Sequence, residues 1–410
     1  MKNRFALGAC ALALGSAIAL TACGGGDSVS PFTVAVIGDV PYGTSPTDNS
    51  QFLKNPGLIA AINQDKDIAF TMHAGDIHSG KEYCTESYDR SIYQQWSAFA
   101  KPLLYTPGDN EWADCHKVKQ GGGSYDAATG QIKYVLDANG QPVSYAKGDP
   151  LENLKLVRSI FFAKPGLSLG ASPMNVESQA QAYDKNNPAD AAFVENMFWQ
   201  KARVSFVTLN IPGGSNDDTD PWYGTPAMSD AQKAEVAARS AANLRWLDRA
   251  FARATADNDL AMVLMVQADM WDADGKNAQH LTEYKKYIDR IAALAKTFGR
   301  PVLLINGDSH VYRTDNPLRK GAPCFIEPTS GASAVPCASV ADTLAKDNNP
   351  ADPYDNQPGG YNVPNFRRIT VHGSTFPLEY LRLAIDPTAN AGDTENAFGP
   401  FRWTRVQPAL

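Results

Sequence analysis

From residue 32 onward the chain alternates short apolar runs with amphipathic stretches. FTVAVIGD (32–39), IAFTMHAGD (68–76), PLLYTPGD (102–109), VSFVTLN (204–210), AMVLMVQ (261–267) and PVLLINGD (301–308) are brief, almost continuously apolar and mostly rich in β-branched residues. Such runs predict strands buried on both faces. Between them, 88–100, 230–256 and 278–298 carry helical spacing; in the second, Leu244, Leu247, Ala250, Phe251 and Ala254 fall on one face. Strand and helix in alternation predict an α/β core. After residue 361 the pattern changes, because RRITVHG, LEYLRLAID and FRWTRV alternate with no long helix between them. A second, more antiparallel sheet is expected there. Segments 121–150 and 320–361, rich in Gly, Pro, Asn and Asp, read as long surface loops. There is no internal repeat, and one domain from 32 to 410 is expected because strands with the same ending occur in both halves.

The composition is that of a globular chain: 410 residues, 43% hydrophobic and 20% charged. A net charge of −7 excludes the basic surface that nucleic acid requires. Residues 1–22 open with Lys2 and Arg4 ahead of an apolar run from Phe5 to Leu20, the shape of a secretory signal. Its end, Leu20-Thr21-Ala22-Cys23, resembles the lipobox of bacterial lipoproteins, which implies acylation of Cys23 and a short tether, 23–31, to a bilayer surface. The implied location is the bacterial envelope, on the periplasmic face or the outer membrane if the source is Gram-negative. Beyond the signal no apolar run is long enough for a transmembrane helix. Cys84, Cys115, Cys324 and Cys337 remain, an even number that favours disulfides in an exported chain. Four cysteines allow three pairings; proximity in sequence favours Cys84 with Cys115 and Cys324 with Cys337.

Four of the apolar runs end in Gly-Asp, at 38–39, 75–76, 108–109 and 307–308. The same dipeptide at 26, 148 and 392 lies in loop-like sequence, so position after a strand is what distinguishes these four. In an open α/β sheet the strand C-termini share an edge where sites assemble, and glycine lets the backbone turn there. A lone aspartate at such a place caps a helix or starts a turn. Four on one edge, with His310 two residues beyond the last, would repel one another unless a cation neutralised them.

The succession Asp39, GD (75–76), GDNE (108–111) and GDSH (307–310) resembles the calcineurin-like metallophosphoesterases, whose pattern is D-x-H, GD, GNH[ED], a lone His after a strand, and GHxH. The stretches HAGDIHSG, YTPGDNEWADC, ADMW and NGDSHVYR are similar to an exported bacterial branch of that superfamily. The resemblance implies a two-sheet mixed β-sandwich flanked by helices, two divalent metal ions (Mn, Mg, Ca, Fe or Zn), and hydrolysis of a phosphorylated small-molecule or surface substrate. It places Asp39 and His310 on the first metal, Asp76 as the bridge, and Asp109, Gln267 and Asp308 on the second, with Asp269 an alternative to Gln267. Pro41 and Asn110 stand where the family has histidines. The missing leaving-group donor directs attention to His78 and His116, whose usual pKa lies near neutrality; His73 reads as a packed strand residue. Arg313 is a candidate for phosphate binding, and Asn210 or Asn216 could face substrate. A Cys84–Cys115 bridge would staple together the loops that carry Asp76 and Asp109. The substitutions at 41, 110 and 267 suggest, as the alternative, a surface lipoprotein that keeps the scaffold for binding without turnover.

Overall fold

All six apolar runs form strands in the computed structural model, which describes residues 29–272, 278–340 and 360–410. They are Phe32–Ile37, Ile68–His73, Leu103–Tyr105, Val204–Thr208, Ala261–Met265 and Val302–Asn306. The last three are buried at every position, as strands covered on both faces must be.

Phe32–Ile37, Ile68–His73 and Leu103–Tyr105 run parallel in a seven-stranded sheet that Tyr380–Ile385 and Phe401–Val406 extend antiparallel. In a nine-stranded sheet, Val204–Thr208, Ala261–Met265, Val302–Asn306 and Phe366–Thr370 form a parallel centre with antiparallel strands at both margins. The expected second sheet at the C-terminus is therefore corrected: the C-terminal strands divide between both sheets. Alternation identifies a strand but carries no information about which neighbour it pairs with.

Val34, Val36, Phe70 and Met72 of one sheet join Phe206, Val263, Met265 and Ile305 of the other in one buried cluster. On the far side of the nine-stranded sheet, Val207, Leu264 and Leu304 pack against Trp246, Leu247 and Phe251 of Asp230–Ala256 and Tyr284, Tyr287 and Ile288 of Ala278–Phe298. Both helices have the expected bounds, and the two-sheet mixed sandwich with flanking helices is the architecture expected from the sequence. The third expected helix runs Glu86–Trp96, capped by Thr85 Oγ1, which accepts the Tyr88 N–H at 3.2 Å. Among the described residues, two further long helices, Ser50–Gln64 and Pro150–Phe161, and two single-turn ones, Gln179–Ala182 and Gly213–Asn216, lie outside the expected set. Pro150–Phe161 begins where Asp149 accepts the Glu152 N–H and Pro150 takes the first helical position. Segment 121–150 is a loop interrupted by the hairpin Gly123–Asp126 with Gln131–Tyr134, and 320–340 contains the short pair Phe325–Ile326 and Val335–Pro336. Residues 1–28, with the signal and Cys23, lie outside the described residues. No described helix is long and apolar enough to cross a membrane.

Behind the sheet edge, His372 Nδ1 lies 2.7 Å from Glu327 Oε1 and Nε2 lies 3.3 Å from the Thr375 carbonyl oxygen. Both ring nitrogens face acceptors, which only the imidazolium satisfies. Burial pushes the His372 pKa down, but the hydrogen bond and charge of Glu327 outweigh it and hold it above the usual value. The resulting stabilisation is complete below the unfolded-state pKa and is lost as pH rises through the higher folded-state pKa. The melting temperature is therefore expected to fall over that interval more steeply in the wild type than in His372→Gln. Parallel pH profiles for the two proteins would rule the linkage out.

Candidate metal centre

The strand ends of the two sheets meet. The Asp39 N–H donates to the Gly75 carbonyl at 2.9 Å, the Asp308 N–H donates to Asp39 Oδ1 at 2.9 Å, and Gln267 Nε2 donates to Asp109 Oδ1 at 2.9 Å. The sharp turns are made by the aspartates more than by the glycines. Asp39, Asp76, Asp308 and His310 have φ of 51°, 57°, 74° and 63°, whereas of the four strand-end glycines only Gly75 is left-handed, at 92°. Asp tolerates that conformation better than most residues, though each such position costs about 1–3 kcal/mol. The other glycines provide space: a Cβ at Gly108 would overlap Asp76 Oδ1, and one at Gly307 would overlap Asp39 Oδ2. This corrects the expectation that the glycines do the turning.

Asp39, Asp76 and His310 each offer a ligand atom, and the three atoms lie within 4.8 Å of one another. Asp39 Oδ1 is 3.5 Å from His310 Nε2, while Asp39 Oδ2 is buried with no hydrogen-bond partner among the described residues. Asp76 Oδ2 accepts the Tyr42 hydroxyl at 2.5 Å and Asn110 Nδ2 at 2.9 Å. Burial first, and then neighbouring carboxylates, push the pKa values of Asp39, Asp76 and Asp109 well above the usual carboxylate range. A cation among them would favour the charged forms. An unpartnered buried acceptor beside a second carboxylate and an imidazole fits a divalent metal ion.

Tyr42 belongs to this group and was missed. Its oxygen also receives Asn110 Nδ2 at 2.9 Å and lies 3.2 Å from His310 Nε2. Only its place, just beyond Asp39 and next to the proline that stands for the expected imidazole, hinted at it. Glu111 was quoted within GDNE without a role. Its Oε1 accepts from the Tyr105 hydroxyl at 2.5 Å, the Gly108 N–H at 2.7 Å and the Asp76 N–H at 3.2 Å, locking two strand-end turns together.

The second expected ligand group is arranged differently. Gln267, fully buried, accepts the Gly213 N–H through Oε1 at 2.5 Å and turns its NH2 toward Asp109. In this arrangement Gln267 bridges Gly213 and Asp109 by hydrogen bonds, with the donor end of its amide, which cannot ligate a metal, turned toward the carboxylate. Asp308 Oδ2 accepts the Asp269 N–H at 3.0 Å. Asp269, the alternative ligand, gives its carboxylate to Arg368, Ser309 and the Trp271 N–H.

Both disulfides join the cysteines that proximity favoured, with Cα–Cα separations of 5.7 Å for Cys84–Cys115 and 5.4 Å for Cys324–Cys337. The sulfurs of the first lie 3.3 and 3.5 Å from the Asn110 carbonyl oxygen, and Gln120 Nε2 donates to Asn110 Oδ1 at 2.7 Å. Gln120 thus holds the asparagine side chain, and the bridge packs against its carbonyl.

The other candidates are not brought to Asp39 and Asp76. His78 is fully buried, with Nδ1 3.2 Å from the Ser79 carbonyl and its ring edge-on to Tyr88. His116 is buried and accepts the Tyr223 N–H on Nδ1 at 2.9 Å. Burial pushes both pKa values down to about 4, so neither carries a transferable proton near neutrality. His116 does lie with Asp114 and Asp220 in a second ligand-type cluster. There the Lys117 ammonium already stands 2.7 Å from Asp114 and 3.2 Å from Asp220. His73 is a packed strand residue with Nε2 3.0 Å from the Val40 carbonyl. Arg313 is buried, 3.6 Å from Asp315, in the charge group that contains Arg368. Asn210 and Asn216 are also buried, bonded to Glu195 and Arg239 respectively.

No protein-family model and no curated protein sequence matches the chain. Among solved structures it is similar to PhoD, at 11% identity and a TM-score of 0.44, covering 88% of this chain and 65% of that one. It is also similar to the purple acid phosphatase PPD1 from yellow lupin (Lupinus luteus) seeds, at 12% identity and a TM-score of 0.40, covering 87% of this chain and half of that one.

Proposed function

We propose that this chain is a metal-dependent phosphoric ester hydrolase held at the bacterial envelope by a lipid on Cys23. The observation that carries the reading is the meeting of Asp39, Asp76 and His310 from three strand ends, with Asp39 Oδ2 buried and unpartnered. The motif order shared with the metallophosphoesterases supports it. Asp39, Asp76 and His310 would hold the ion. When bound, a divalent ion supplies Lewis-acid polarisation of a phosphoryl oxygen and acidifies water for in-line attack.

The chain's own groups orient the reaction. Tyr42, whose pKa burial and the nearby acids raise well above the usual phenol value, stays protonated and fixes Asp76 through its hydroxyl. Asn110 gives both hydrogens of its NH2 to Tyr42 and Asp76, which holds those two groups in place, and it cannot release a proton at neutral pH. His78 and His116 are buried and neutral, and the Tyr42 hydroxyl hydrogen is committed to Asp76, so none of these three offers the leaving group a proton. Esters whose leaving oxygen needs no protonation are therefore the favoured substrates.

Chelator-treated protein supplied with Mn, Mg, Ca, Fe or Zn should hydrolyse 4-nitrophenyl phosphate or bis(4-nitrophenyl) phosphate, and unactivated alkyl analogues at least about 100-fold more slowly, the usual lower scale of general-acid assistance. Absence of turnover with every ion and both ester types would overturn the reading. It would favour a binding lipoprotein on the same scaffold, to which the amides at 110 and 267 are also suited.

A further inference from the structure

We propose that this centre is built for one divalent ion, and that the Gln267 amide performs at Asp109 the charge-balancing task of a second. The inference rests on the metal-dependent reading above and adds the number of ions.

The orientation of the Gln267 amide decides the matter. A backbone N–H can only donate, and that of Gly213 lies 2.5 Å from Gln267 Oε1. The oxygen end is thereby committed to the loop, and the nitrogen end lies 2.9 Å from Asp109 Oδ1. Rotating the amide to offer its oxygen to a metal would set NH2 against N–H on one side and oxygen against carboxylate on the other. Gln267 is fully buried, so water cannot repair either contact.

Neighbouring groups follow the same rule. Asn110 Oδ1 is taken by Gln120 Nε2, which turns Asn110 Nδ2 toward Asp76 Oδ2 at 2.9 Å. Asp308 Oδ2 takes the Asp269 N–H. Asp76, Asp109 and Asp308, the carboxylates expected around a second ion, each receive an N–H from the protein, as Asp39 does from Asp308; what sets Asp39 apart is that its other oxygen is buried with no donor among the described residues. Asp39, Asp76 and His310 keep three ligand-type atoms close together, while the opposite side keeps two carboxylates and an amide presenting hydrogens. Gly213 also keeps the loop tight, since a Cβ there would lie 2.5 Å from Asp308 Oδ1 and 2.9 Å from Asp109 Oδ1.

The test is to load chelator-treated full-length protein with Mn(II), remove unbound metal, count Mn per chain by mass spectrometry and record the electron paramagnetic resonance spectrum. The wild type should hold about one Mn with an uncoupled signal. Gln267→His, which restores a nitrogen ligand, should hold about two and show the spin-coupled pair; Gln267→Glu serves the same purpose should the histidine variant fail to fold. Two coupled ions in the wild type would overturn the single-ion inference and leave the hydrolase reading intact. No ion bound at all would overturn both. Variants that fold and remain at one ion would overturn the role assigned to Gln267.

Discussion

Asp76→Asn should lower metal-dependent phosphoester hydrolysis by roughly 10³-fold or more and abolish tight metal binding, because ligand charge supports the several kcal/mol that a metal contributes to phosphoryl transfer. Asparagine is the informative replacement. Asp76 sits at φ 57°, a conformation that asparagine tolerates and alanine does not. The fold should survive, since removing a buried, like-charge-crowded carboxylate offsets the weakened bonds to Tyr42 and Asn110. The melting temperature should move by only about a few degrees. Activity within tenfold of wild type, measured with saturating metal, would remove Asp76 from the centre.

Arg368→Leu should have the largest effect on stability. Arg368 is fully buried, bonds Asp315 through Nε at 2.8 Å and Nη2 at 2.7 Å, and pairs with Asp269 through Nη1. Its loss takes the bidentate partner from Asp315, leaving it only Arg313 at 3.6 Å, and the guanidinium from Asp269, and removing one partner of a buried ion pair costs about 3–5 kcal/mol. The effect should reach the metal centre as well. Asp269 holds Asp308 through its N–H and Ser309 through its carboxylate, so its displacement should weaken hydrolysis by about tenfold, the lower range for groups that orient ligands. Arg368→Lys, which keeps the charge but loses the fork, should fall between. Chemical denaturation showing a loss below about 1 kcal/mol for the leucine variant would contradict this account of the network.

The parallel strands were legible because burial on both faces leaves an unbroken apolar run, as in AMVLMVQ. Helix Ser50–Gln64 was not, because Pro56 lies within it and its buried positions include the polar Gln51 and Asn55, which blurs the apolar face. Sheet membership of the C-terminal strands was equally hidden, since pairing depends on the path of the chain. At the site, the carboxylates were legible because Gly-Asp recurs at strand ends. The orientation of Gln267 was not, because it is set by a backbone N–H 54 residues away in sequence. Tyr42 was hidden for a related reason: no spacing rule places a phenol among carboxylates, and only the approach of His310 and Asn110 gives its oxygen a function.

The Cys84–Cys115 bridge lies against the carbonyl of Asn110 while Gln120 holds the side chain of the same residue. The aspartates exist in the chain as soon as it is made, but the covalent tie between the loops that carry Asp76 and Asp109 exists only after two thiols have been oxidised. Maturation would then have an order, in which the bridge closes last and fixes loops that until then are joined by noncovalent contacts alone. The final step in arranging these loops would therefore belong to whatever surroundings let the thiols oxidise.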